Sequence, residues 1–106
     1  MARIEDEIKE IIKMEIAQEQ DLTNWHNTDL QKCLVEPYRE ICEIAFDSKQ
    51  TVEVYVVLKE FPDHDEGYQI VFDPKYGKFG LTIEGAGSKR VLLGYDGTFL
   101  DSFRGM

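Results

Sequence analysis

The sequence predicts an α+β domain: N-terminal helices packed on one face of an antiparallel sheet of four or five strands, closed by a short C-terminal helix. Two observations predict it. Ile4, Ile8, Ile11, Ile12 and Ile16 recur at helical spacing near the start, forming one apolar stripe. From Thr51 onward, apolar residues instead alternate in short runs separated by Pro, Gly and Asp turn residues.

Each element follows in order. Residues 4 to 19 read as a helix, with Glu5, Asp6 and Glu7 in the first turn, where the helix dipole favours anions. Glu5 and Lys9 are spaced as an i,i+4 ion pair. Asp21 to Asn27 is a polar connection containing Trp25 and His26, read as an anchoring aromatic beside an exposed histidine. Thr28 and Gln31 suggest a capping box before Leu30, Cys33 and Leu34. Pro37 pushes Glu36 out of the α region, so this second helix ends near Val35. Residues 38 to 46 fit a helix or a strand; the strand is preferred because a helix leaves Ile44 and Phe46 off its stripe. Asp47 to Gln50 then reads as the hairpin turn.

Thr51 to Phe61 places Val52, Val54, Val56 and Leu58 on one face and Tyr55, Val57 and Phe61 on the other. Both faces are apolar, as in a central strand. Pro62 to Gly67 is a polar loop, and Tyr68, Ile70 and Phe72 alternate in the next strand. Asp73-Pro74-Lys75-Tyr76-Gly77 is a turn. Phe79, Leu81 and Ile83 form a strand, and Arg90 to Tyr95 a last one. Thr98 caps a final short helix with Asp101 at its third position and Gly105 at its end.

The 106 residues make one domain, 1–106, with 42% hydrophobic residues and enough chain for a core. A net charge of −9 disfavours nucleic acid, whose phosphates it repels. Short apolar runs such as Val54–Val57 argue against a membrane span. The acidic N-terminus lacks the basic and apolar regions of a secretory signal, so the expected location is cytoplasmic. Cys33 and Cys42, among apolar neighbours and without Cys-x-x-Cys spacing, read as reduced core thiols.

The densest polar cluster is Asp63-His64-Asp65-Glu66. It lacks a second His at i+3 or i+4 and the spaced ligands of a calcium loop, so no metal and no cofactor are expected. Flanked by Phe61 and Tyr68, it is the candidate partner-binding site: Asp63, Asp65, Glu66 and Tyr68. Gly85-Ala86-Gly87-Ser88-Lys89-Arg90 misses both phosphate-binding patterns: Ala86 stands where a Walker loop needs Lys, and Arg90 where a dinucleotide fingerprint needs Gly. It reads as a flexible turn. His26 and His64 both lie in loops and no Gly-x-Ser-x-Gly elbow occurs, so no catalytic residues are assigned. Tyr55, Tyr68, Tyr76 and Tyr95 suit either core edges or an interface.

The stretch Val54-Tyr55-Val56-Val57-Leu58-Lys59-Glu60-Phe61-Pro62, continuing through Gly67–Asp73 to Phe79-Gly80-Leu81, resembles small uncharacterised bacterial α+β proteins, as does the ending Gly94–Leu100. In size and acidity the chain is similar to immunity proteins of bacterial toxin systems. That resemblance implies a cognate, often basic, protein partner that is bound and blocked. The expected function is therefore a non-enzymatic acidic binding protein of immunity type. The alternative is a small-ligand or regulatory module using the concave face of the sheet.

Overall fold

The computed structural model describes residues 3–24, 27–85, 87 and 89–106. Trp25 and His26, and Ala86 and Ser88 of the glycine-rich segment, lie outside the described residues. The order is α1 (Ile4–Gln18), α2 (Leu30–Cys33), β1 (Leu34–Ile44), β2 (Asp47–Lys59), β3 (Gln69–Asp73), β4 (Lys78–Glu84), β5 (Arg90–Gly97) and α3 (Phe99–Gly105). The chain is α+β with five strands and helices at both ends, as its patterning predicts. The sheet, however, is not an open one with a free concave face. It is a closed barrel in the order β1-β2-β3-β4-β5.

Closure explains the one parallel pairing. In a meander each strand reverses the last, so the first and fifth run the same way. The β1–β5 seam is accordingly parallel, pairing Glu43 with Val91 and Ile44 with Leu92, and Ala45 N–H donates to Leu92 O at 2.9 Å beyond it. All other pairings are antiparallel.

Two apolar cores result, one on each side of the sheet. Inside the barrel lie Cys42, Val54, Val56, Val71 and Leu92. Outside, Ile8 and Ile12 of α1 and Phe99, Leu100 and Phe103 of α3 pack with Val57, Leu58, Ile70, Phe72, Phe79 and Leu81. Strand alternation assigns the side, with one break. The register shifts between Val56 and Leu58, and Leu58 joins Val57 in the outer core instead of continuing the inward series Val52-Val54-Val56. A bulge turns the strand over at this point. Gly80 is required in β4 because a Cβ there would strike the Gly94 carbonyl oxygen of the irregularly paired β5.

Several local expectations shift by a few residues. α2 is capped by Asp29, whose side chain accepts from Lys32 N–H at 3.2 Å, not by a Thr28 capping box. β1 starts at Leu34 and carries Pro37 in its register irregularity between Leu34 and Tyr38, where no ladder donor is needed. The β1–β2 turn is Ala45-Phe46, since Asp47 already pairs with Ile44. Phe46 adopts φ +67°, a conformation that non-glycine residues rarely take. Lys9 pairs with Glu36 at 3.0 Å rather than with Glu5, which Arg3 holds. Thr98 does cap α3, accepting from Asp101 N–H at 3.1 Å, and the Glu15 carboxylate of α1 accepts from Phe99 and Leu100 N–H at 3.1 and 3.0 Å. The N-terminal end of α3 is thereby satisfied from two elements.

The isoleucine stripe is not uniform. Ile8 and Ile12 are buried and Ile4 and Ile16 pack at the margin, whereas Ile11 is 38% exposed. Ile8→Asp should lower the unfolding free energy by about 3 kcal/mol or more, the scale of an unpaired buried charge. Ile11→Asp should stay within about 1 kcal/mol of wild type. Urea denaturation of the two variants checks the difference.

Candidate functional site

The polar chemistry concentrates at one barrel mouth. Alternation puts Gln69 in phase with Val71, Arg90 in phase with Leu92, and Tyr38 and Glu40 in phase with Cys42. Their inward-facing side chains meet where the inner core ends. With Asp65 they line a small cavity of about 160 Å³.

Arg90 organises this mouth. It is only 6% exposed. Its Nε donates to Thr82 Oγ1 at 3.3 Å, its Nη1 to Asp65 O at 2.8 Å, and its Nη2 to Gly67 O and Thr82 O at 2.8 and 3.0 Å. Thr82 Oγ1 is also within 3.1 Å of Nη2 and donates to Gln69 O at 3.5 Å. Every acceptor is neutral. Burial therefore dominates the environment and pulls the guanidinium below its ordinary pKa, partly offset by surrounding acidic groups. Through these bonds one side chain of β5 ties β4 to the β2–β3 loop.

That loop carries the acidic cluster. Asp63, Asp65 and Glu66 are all exposed. Asp65 is ion-paired with Lys59 at 2.8 Å, which holds its carboxyl below the usual range. Lys59 itself is only 12% exposed at the side chain. Phe61, 42% exposed, stacks on His64 with centroids 4.9 Å apart. His64 Nδ1 accepts from Glu66 N–H at 3.3 Å. Gly67 takes φ +83°, and a Cβ there would meet Glu60 Oε1 at 2.5 Å and the Phe61 ring at 2.8 Å. The Glu60 carboxylate also accepts from Tyr68 N–H at 3.0 Å.

Tyr68 sits differently from the other three residues of the cluster. It is half-buried and packs against the outer core. The exposed aromatic beside the carboxylates is Phe61. Of the remaining tyrosines, Tyr55 also packs against the outer core. Tyr95 donates its hydroxyl to buried Asp73, and burial followed by that bond raises its pKa. Asp73 in turn accepts from Lys75 N–H at 2.8 Å, fixing the β3–β4 turn. Tyr76, 57% exposed, meets Tyr95 edge-on.

Arg90 and Gln69 were not singled out as site residues by sequence. The available signal was polar residues standing in the inward phase of otherwise apolar strands. Cys33 and Cys42 are free and buried. Among the described residues, no group of three or more His, Cys, Asp or Glu is placed to hold a metal ion, and no helix is long and apolar enough to cross a membrane. A wider, shallow groove of about 540 Å³ runs between α1 and the start of β1, lined by Ile12, Ile16, Leu34, Val35 and the Lys9 and Lys13 stems. No family model matches the chain, and no curated protein or solved structure matches it.

Two predictions follow from the mouth. Arg90→Leu strands the Asp65, Gly67 and Thr82 carbonyls, and should cost about 3 kcal/mol while raising amide exchange in residues 63–67. Hydrogen-exchange mass spectrometry with denaturant melts reads both. The second concerns pH. Burial first, then the Glu40 carboxylate, push the Cys42 thiol up to about 11, against the opposing pull of Arg90. A pKa raised on folding means a contribution fully present below the ordinary thiol range and lost as pH climbs through the folded value. Stability should therefore fall above about pH 9, by roughly 2 kcal/mol on account of this group. Cys42→Ala should show a smaller alkaline loss in urea melts across that range.

Proposed function

We propose that the chain is a non-enzymatic protein-binding module, of the immunity type its size and acidity resemble, and that the β2–β3 loop engages a basic partner. The observation that carries this reading is the anchoring of the loop backbone by the buried guanidinium of Arg90. A loop already fixed in the unbound protein presents its groups with little ordering entropy to lose on association.

The groups are suited to two tasks. Asp63 and Glu66 are exposed and, among the described residues, form no ion pair with a lysine or arginine. Their negative potential steers a basic protein and accelerates encounter. Phe61 adds an apolar contact beside them, backed by the His64 ring. Asp65 has a different part, since Lys59 already neutralises it. Tyr68, turned into the core margin, supports the loop from beneath.

The test is kinetic. A basic protein that co-purifies with the tagged chain, or the product of an adjoining toxin-like gene, is measured against wild type and variants at two salt concentrations. Asp63→Asn with Glu66→Gln should slow association, most at low salt, with stability held within about 0.5 kcal/mol. Phe61→Ala should mainly speed dissociation, by an amount of order 1–3 kcal/mol. Association indifferent to both charges and salt would refute the reading.

A further inference from the structure

The mouth cavity holds groups that neither the fold nor the loop uses. Gln69 is only 2% exposed, yet its carboxamide makes no hydrogen bond to a described residue and its side chain lines the cavity. Among the described residues no fully buried polar side-chain atom lacks a partner, so the unbonded Gln69 carboxamide reaches the open space of the cavity. Arg90 has five N–H groups. Its bonds to Thr82, Asp65 and Gly67 occupy Nε, both Nη2 hydrogens and one at Nη1, which leaves one Nη1–H. Glu40, half-buried on β1, the barrel neighbour of the strand that carries Arg90, has a carboxylate with no hydrogen-bonded or ion-paired partner among the described residues. Tyr38 supplies a hydroxyl at the rim.

These groups are of mixed sign. Arg90 and Gln69 offer donors to an anion; Glu40, and the Asp65 oxygen that Lys59 does not hold, offer acceptors to a cation. A simple carboxylate would bring a second anion against Glu40. A simple amine would bring a second cation against Arg90. At separations of about 4 Å such like-charge contacts are worth several kcal/mol outside bulk water. A ligand carrying both charges meets both sets of groups favourably. The size agrees: a small cavity of about 160 Å³ suits a compact solute.

We infer that the barrel mouth is a binding site for a small zwitterion, an α-amino acid with a short side chain, whose carboxylate faces Arg90 and Gln69 and whose ammonium faces Glu40. The site is separate from the partner-binding surface in its groups: Asp63 and Glu66 do not line it.

Backbone amide shifts of the labelled protein are followed while each proteinogenic amino acid is titrated to millimolar concentration. At least one short-chain amino acid should give saturable shifts at Tyr38, Gln69 and Arg90. Its N-acetyl and carboxamide derivatives should each bind about tenfold more weakly or worse, because each loses one charge-assisted set of bonds. Gln69→Leu, which keeps the buried volume, should abolish the shifts. Glu40→Gln, on a half-exposed wall, should weaken binding similarly and serves if the first variant folds poorly. Asp63→Asn with Glu66→Gln should leave binding unchanged, so that this inference and the partner reading stand or fall apart. The inference is overturned if no amino acid shifts the mouth residues, if the capped derivatives or acetate alone bind as well as the free amino acid, or if the folded Gln69 or Glu40 variant binds like wild type.

Discussion

A single guanidinium holds the open end of this barrel together. The mouth is where strands separate and their backbone groups lose ladder partners, and a buried carbonyl without a donor is destabilising. Arg90 answers that need for three carbonyls belonging to two segments, the β2–β3 loop and β4. Its own desolvation is offset by filling nearly all its donors. No carboxylate is bonded to it, so the arrangement works by dipoles rather than by an ion pair. A lysine could not replace it, since one ammonium lacks the planar fork that reaches Thr82, Asp65 and Gly67 at once. A loop that carries three carboxylates in four residues is thus positioned by a buried positive charge.

The rest of the fold divides around that point. The inner core is narrow and made mainly of β-branched residues, with Cys42 and Leu92 completing it. The outer core is aromatic-rich and recruits all three helices. Phe79 meets Phe72 and Phe99 at centroid distances of 4.9 and 5.8 Å, joining β3, β4 and α3 through one ring. Helices reach the two seam strands only in part, α1 against β1 and α3 against β5. These strands are finished with surface pairs such as Arg39–Glu53 and Lys89–Glu43, and with exposed Ile41 and Leu93. Helical cover is shared out: α3 packs against β3, β4 and β5, α2 against β2 and α1 against β1.

How far this was legible in the sequence depends on the length of the signal each element leaves. α1 spans four turns and announces itself by period; α3 announces itself by Thr98, Asp101 and Gly105. Strand positions were readable from alternation. The turn at Ala45-Phe46 was not, because neither residue has turn chemistry and the polar stretch after it mimics a turn. The bulge at Val56–Leu58 was invisible because every residue near it is apolar, so a change of face leaves the pattern intact. Closure was invisible for a related reason: an inward-facing valine reads the same in an open sheet and in a barrel. What distinguishes the two is the seam between β1 and β5, a pairing between residues almost fifty positions apart that leaves no local mark. The acidic loop was readable as a cluster, but its internal division was not. Lys59, which separates Asp65 from its neighbours, reads in sequence as the polar end of a strand.

That division bears on how the molecule can separate stability from recognition. Charges used for steering must be exposed, and exposed charges are screened within about 8–10 Å at ordinary ionic strength. Asp63 and Glu66 meet this condition, so under the proposed function changes there would alter encounter without disturbing packing. Asp65 is exposed too, but its carboxylate offsets the charge of a largely buried lysine and its carbonyl receives Arg90. The same residue therefore belongs to the scaffold at both ends, even though it sits between two that do not. Free carboxylates and a scaffold residue thus lie within the same four residues, and the fold keeps them distinct by direction: outward carboxylates on one side, and on the other a backbone gripped from inside the barrel.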